Sequence, residues 1–311
     1  MARTVQGARI QPSATGKRPI PIPRRFCADL YAVYGAILDD ESIILVPHEY
    51  AHDQEYADDP DGDDAGWRRE HYNAHRCQQA TVVYERLGQN HPNLLSFLRR
   101  DPWTAFPILA TPSGQPLPHF LHERKAALYT APLDTPSARI LPAHRPMMYE
   151  WALNLISALA FIHSHDIVFG LLTQQNCWVS TEQRISEDYS RHSGRPRLFL
   201  FGFVDAGFDR YPGSWVNSPY CYHDDREEEP TQQTDLYLYG CLLYEFMVGV
   251  AHDTPLQWDI GDRVKARQWP SLETEYMGDI VRKCWTGEVG SAEEVKLEVE
   301  MFVRMYGERE W

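Results

Sequence analysis

From Asp29 to Val46 the chain carries two apolar runs, LYAVYGAIL and SIILV, parted by Asp39, Asp40 and Glu41, which predicts a β-hairpin. Residues 67–87 (WRREHYNAHRCQQATVVYERL) have helical spacing and stop at Gly88, with His91-Pro92-Asn93 beyond as a stop signal. The short apolar runs LLSFL and FPILA predict two strands, and TPSGQPLP (111–118) after them predicts a loop. Residues 146–164 predict a helix with proline near its start and Trp151, Leu155, Leu159 and Ile162 on one face. Short β runs follow at 167–168, 177–179 and 198–203, with a polar insertion over 182–196. Residues 234–248 (TDLYLYGCLLYEFMV) are apolar almost all round, so a buried central helix is expected there. Two shorter helices are expected near 277–285 and 292–305. Strands with one helix come first and mostly helices after, an α+β order in two lobes.

Composition supports this picture. The chain has 311 residues, 43% hydrophobic and 24% charged, enough for a sizeable core and unlike a fibrous or low-complexity protein. A formal net charge of −14 argues against a surface built for nucleic-acid phosphates or anionic lipid. The charges are unevenly placed. Residues 1–26 hold Arg3, Arg9, Lys17, Arg18, Arg24 and Arg25 and no acid, whereas 27–66 hold acids and no Lys or Arg. The expected division is a basic, Pro-rich tail over 1–26, a β-rich lobe over 27–112 and a helical lobe over 113–311. The acidic stretch 52–64 is expected to be a solvated loop. Six scattered cysteines without a CxxC pair point to a reducing, intracellular compartment, cytoplasmic or nuclear. The most hydrophobic stretch, 147–169, is interrupted by Glu150, Asn154, Ser157 and His163, so it reads as a core helix and no membrane span is expected.

One motif offers chemistry of its own. His48-Glu49-Tyr50-Ala51-His52 is a literal HExxH, which on a helix would set two imidazoles for zinc and a glutamate as general base. Its context opposes that use. The string follows a strand through Pro47, and Asp53, Gln54 and Glu55 offer no apolar face to bury a helix. A zinc hydrolase using His48, Glu49 and His52 is therefore the minor alternative.

Four segments carry a broader resemblance: YERLGQNHPNLL, ALAFIHSHDIVFGLLTQQNCWV, TDLYLYGCLLYEFMVG and IVRKCW. In this order they resemble the αC end, the αE helix with catalytic loop, the αF helix and the αH helix of the eukaryotic protein kinases, over roughly residues 27–305. The resemblance implies a bilobal kinase-like fold, and it also implies that the working positions are lost. Where an active kinase has HRDLKxxN, this chain reads Phe169 to Asn176 as FGLLTQQN, placing Leu171 at the catalytic Asp and Thr173 at the Lys. The metal-binding DFG appears as Leu200-Phe201-Gly202, and leucine cannot ligate a hard cation. Leu45 falls at the phosphate-binding Lys and Ala80 at its αC Glu partner. Gly35 is the hairpin's sole glycine, so no glycine-rich loop cradles phosphates.

The positions kept are structural: Asn176, Phe201, Gly202, and Asp235, which in the family holds backbone amides of the catalytic loop. Phe169 replaces the usual His. Asn176 is expected to brace its loop, and Asp205 and Glu227 to Glu229 to be solvated loop acids. Ile43 and Trp178 are bulky at the positions that would line adenine. APE appears as Ser218-Pro219-Tyr220, without its Glu. The resemblance implies a pseudokinase, not an enzyme, without a cofactor, that scaffolds or regulates a protein partner such as an active kinase or signalling complex. An enzyme of non-standard, nucleotide-dependent chemistry is the main alternative.

Overall fold

The computed structural model describes residues 26–30, 33–48, 63–88, 91–111, 113–180, 196–209, 211, 213, 220 and 229–307. The tail up to residue 25, the acidic run 49–62 and residues 181–195 of the insertion lie outside them. The architecture is mixed α+β. Two compact units divide the chain, one comprising the described residues within Met1–Asn90, Leu95–Thr111 and Gly202–Val204, the other the remainder.

The first unit holds β1 (Phe26–Asp29), β2 (Val33–Asp39), β3 (Ser42–Pro47), α1 (Asp63–Leu87), β4 (Phe97–Arg100) and β5 (Pro107–Ala110). The strands form one antiparallel sheet in the order β1-β2-β3-β5-β4. The acidic hairpin turn has a local cause. Asp39 Oδ1 accepts hydrogen bonds from Ser42 Oγ at 2.7 Å and Glu41 N at 3.0 Å, closing the β2–β3 connection. Every residue of central β3 is buried, which is why SIILVP reads as a continuous apolar run instead of an alternation. The helix α1 packs on β3 and β5. Its Thr81 hydroxyl and Gln78 amide donate to the carbonyls of Ala105 (2.8 Å) and Thr104 (3.2 Å), fixing the β4–β5 turn.

The second unit contains β6 (Gly114–Pro116), α2 (Leu117–Leu128), α3 (Arg145–His163), β7 (Ile167–Val168), β8 (Cys177–Ser180), β9 (Arg197–Leu200), β10 (Gly207–Phe208), α4 (Gln232–Val248), α5 (Pro255–Lys265), α6 (Gly278–Thr286) and α7 (Ala292–Gly307). A short sheet has the order β6-β8-β9, and β7 pairs with β10. The core is built by α3, which packs on α7 and α4 and buries Met148, Tyr149, Trp151, Leu155, Ile156, Leu159 and Ile162. Each large apolar side chain so buried contributes roughly 1.5–3 kcal/mol. α4 starts at a reciprocal Thr231/Thr234 capping box and ends at Gly249, whose φ of 75° supplies the left-handed cap. Gly240 admits close packing of α6, since a Cβ there would lie 2.8 Å from the Cys284 Cβ.

Three expectations need correction. The segment 111–118 is not a loop: β6 pairs with β8 through Gly114 to Pro116, and α2 begins at Leu117. Pro118 sits in the first turn of α2, where its missing N–H costs nothing, and Leu117, Phe120, Leu121 and Leu128 supply the buried face. The helix α5 was not foreseen; its start is set by the Thr254 cap and Pro255, with only Ile260 and Val264 as buried large apolar residues. Asp205 is buried, at 7% exposure, and not solvated. The chain doubles back over it, so closely that a Cβ on Gly213 would lie 2.7 Å from the Asp205 carbonyl oxygen.

Candidate functional site

The segment Phe169 to Asn176 is held from below by one carboxylate. Asp235, in the first turn of α4 and fully buried, accepts from the backbone amides of Phe169 (2.7 Å) and Gly170 (2.9 Å) and is bonded to His163 Nε2 (2.8 Å). Charge-assisted bonds to backbone amides fix the chain's course, not merely a side chain. Leu171, Leu172 and Thr173 are buried beyond this tether, Leu171 at 2% exposure. Thr173 then caps a 3₁₀ turn over Gln174–Asn176, and Asn176 Oδ1 accepts from Thr173 N (3.1 Å) and Oγ1 (3.0 Å). The Asn176 side-chain oxygen is thereby engaged in the loop itself, and its backbone carbonyl accepts from Phe201 N at 2.9 Å.

Leu200 closes β9 with no exposure, its amide donating to the Asn93 carbonyl at 2.9 Å. Phe201 is equally buried and meets Trp178 edge-on at 6.4 Å between ring centroids. In the first unit Leu45 and Ala80 are both fully buried, and Ile43 is 1% exposed. A lysine and glutamate at the first two positions would have to be desolvated together. Gly35 lies inside β2 in regular register with Leu45, not in a loop. Gly202, with φ of 116°, donates its amide to the Tyr84 hydroxyl at 3.2 Å, and Phe203 packs edge-on against Tyr84 at 4.8 Å.

Directly after β3, the His48 ring stacks on Tyr34 at 3.6 Å and bonds Asp29 Oδ1 at 3.1 Å. Glu49 and His52 lie outside the described residues. Among the described residues no group of three or more His, Cys, Asp or Glu is placed to hold a metal ion. Cys77, Cys177, Cys241 and Cys284 are free and buried, and none of the described helices is long and apolar enough to cross a membrane.

A second buried acid escaped the sequence reading. Glu245 of α4, 2% exposed, receives three neutral donors: the Tyr220 hydroxyl (2.8 Å) and the Gln257 amide on Oε1, and the Gln174 amide (2.8 Å) on Oε2. Burial pushes its carboxyl up to about 7, against the opposing pull of these three bonds. The Tyr220 hydroxyl is raised by its own burial and then by Glu245. Tyr220, 4% exposed, is thereby tied to α4 through this carboxylate. The signal was present in the sequence as the one charged residue within CLLYEFMV, where an unpaired acid would be prohibitive.

No protein-family model matches this chain, and no curated protein matches it.

Proposed function

We propose that this chain is a catalytically inactive, kinase-like domain of two lobes, a pseudokinase that acts by binding another protein. The observation that carries the reading is the loop tethered by Asp235. Its backbone is anchored through two amide bonds to one carboxylate that His163 also holds, yet the position of the reacting base is Leu171, an apolar side chain at 2% exposure. Catalysis of phosphoryl transfer rests on placed charge, and an apolar group there supplies none. Further support comes from the first unit, a five-stranded antiparallel sheet with α1 inserted between β3 and β4, the place of the αC helix in the resemblance. Leu45, Ala80 and Leu200 are apolar and buried at the other charge positions. Specificity for the partner is assigned to the tail 1–26, the acidic stretch 52–64 and the insertion 182–196, which are polar and variable in charge.

Thermal unfolding with millimolar ATP, with and without Mg²⁺, tests this reading. The midpoint is expected to stay unchanged. A Mg²⁺-dependent rise, worth about 2.7 kcal/mol at a hundred times the dissociation constant, would overturn it in favour of a nucleotide-dependent enzyme. A rise with zinc alone would favour the HExxH alternative.

A further inference from the structure

Gln174 and Glu245 meet in the dry interior of the second unit, and one polar atom of the pair is left over. Gln174 is fully buried, and its Nε2 donates to both Glu245 Oε2 and the Val250 carbonyl, each at 2.8 Å. Its Oε1 is equally dry and bonds to nothing among the described residues. A buried acceptor without a donor is destabilising, and beside a carboxyl it has a donor within reach whenever that carboxyl carries a proton.

The cluster fixes where the proton goes. Glu245 Oε1 is engaged twice, by the Tyr220 hydroxyl at 2.8 Å and by the Gln257 amide. Gln257 is pinned in that setting, because its own Oε1 accepts from Asp253 N at 2.7 Å. Glu245 Oε2 has Gln174 alone. A proton on Oε2 meets an N–H, a donor facing a donor. Turning the Gln174 amide end for end presents its carbonyl instead and makes a hydrogen bond, while the Val250 carbonyl loses its donor. Terminal amide torsions are broad and roughly two-fold, so both settings are open to the side chain.

The proton is available near neutrality, since burial holds the Glu245 carboxyl up to about 7. Every group facing it is neutral. These are Tyr220, Gln174, Gln257 on α5 and the Cys177 thiol of β8, whose ionisation is opposed by burial and then by Glu245. Cys241 and Tyr244 of α4 act on Tyr220 and not on the carboxyl itself. The helices packed on α4, α3 and α6, bring it no titratable group among the described residues.

We infer that Gln174 and Glu245 form a proton-driven amide switch. With Glu245 ionised, Gln174 donates to it and to Val250; with the proton on Oε2, the turned amide accepts. Gln174 belongs to the turn capped by Thr173, and Val250 follows the Gly249 cap of α4. Deprotonation thus ties the segment Phe169 to Asn176 to the end of α4, and protonation releases that tie. The device is independent of the pseudokinase reading.

Side-chain NMR of the full chain, labelled with ¹⁵N at glutamine and ¹³C at the glutamate carboxyl, tests this from about pH 5.5 to 8.5. The Gln174 amide signals, assigned by through-bond correlation, are expected to shift with a midpoint near 7, in step with the Glu245 carboxyl. In Glu245→Gln the new amide oxygen is claimed by Tyr220 and Gln257, so its NH₂ faces Gln174 at every pH. The Gln174 signals should then be independent of pH and lie near the natural chain's low-pH position. Gln174→Met removes a donor from the ionised state and an acceptor from the protonated one, so the Glu245 midpoint should move by less than about 0.5. A rise well beyond that would make Gln174 a donor only and overturn the inference. A carboxyl that titrates while the natural chain's Gln174 amide stays still overturns it too and leaves the proton to Oε1 and Tyr220. So does a carboxyl that remains ionised throughout.

Discussion

Two buried acids near opposite ends of α4 are satisfied by different means. Asp235 draws two of its three partners from backbone amides of a single adjoining loop, Phe169 and Gly170, and the third from His163 at the end of α3. Glu245 draws all three from side chains that lie far apart in sequence, on Gln174, Tyr220 and Gln257. The first arrangement holds a chain path, so its loss moves a loop. The second holds three segments by their side chains, and burial has left its carboxyl at about 7, within reach of protonation near neutral pH. A carboxylate bonded to amides serves as fixed architecture, and one bonded to neutral side chains in a dry site becomes sensitive to protons.

The largest effect is expected from Asp235→Ala, which leaves two buried amides and His163 without their acceptor. A loss of roughly 3–5 kcal/mol is expected, measured by urea unfolding, and a loss under about 1 kcal/mol would show that the tether is not structural. Glu245→Gln sharpens the contrast through pH. Because the folded carboxyl holds its proton up to about 7 while the ordinary value is 4.5, its contribution is greatest below pH 4.5 and falls as pH rises through 7. The natural chain should therefore lose on the order of 3 kcal/mol relative to the glutamine variant between pH 4.5 and 8. Parallel stability curves for the two proteins over that range would refute the assignment. The smallest effect is expected from Tyr220→Phe, which removes one donor at a cost of about 1–2 kcal/mol. It should also move the Glu245-dependent part of the pH curve upward, since the Tyr220 bond lowers that carboxyl; an unmoved curve would place Tyr220 outside the cluster's electrostatics.

How far these sites were legible in the sequence differs for the same reason. Asp235 stood out only through the resemblance, which sets it at the acid expected to hold the amides of the loop after α3. The helix α3, the β2–β3 hairpin and α4 were readable from periodicity and turn residues alone. Glu245 was not, because its partners come from Gln174, Tyr220 and Gln257, and no local spacing brings those together. The helix α2 was hidden by Pro112, Gly114, Pro116 and Pro118, which read as loop punctuation although a proline in the first turn suits a helix start. Asp205 read as solvated because a carboxylate in a loop usually is; its burial follows from the return of the chain at Gly213.

By itself the sequence determined the α+β order, the main helices and the hairpin, since these depend on the period of apolar residues and on capping and turn chemistry within a few positions. It also determined that Leu45, Ala80, Leu171 and Leu200 carry no charge, a property of the residue and not of its surroundings. Only the tertiary structure decided that these positions are dry, that Asn176 spends its side-chain oxygen on Thr173, that Glu245 collects three distant donors, and that Leu297, Met301 and Met305 remain uncovered. Burial and hydrogen-bond partners are set by segments far apart in the chain, and the free energy of a charge or an apolar side chain depends on what surrounds it.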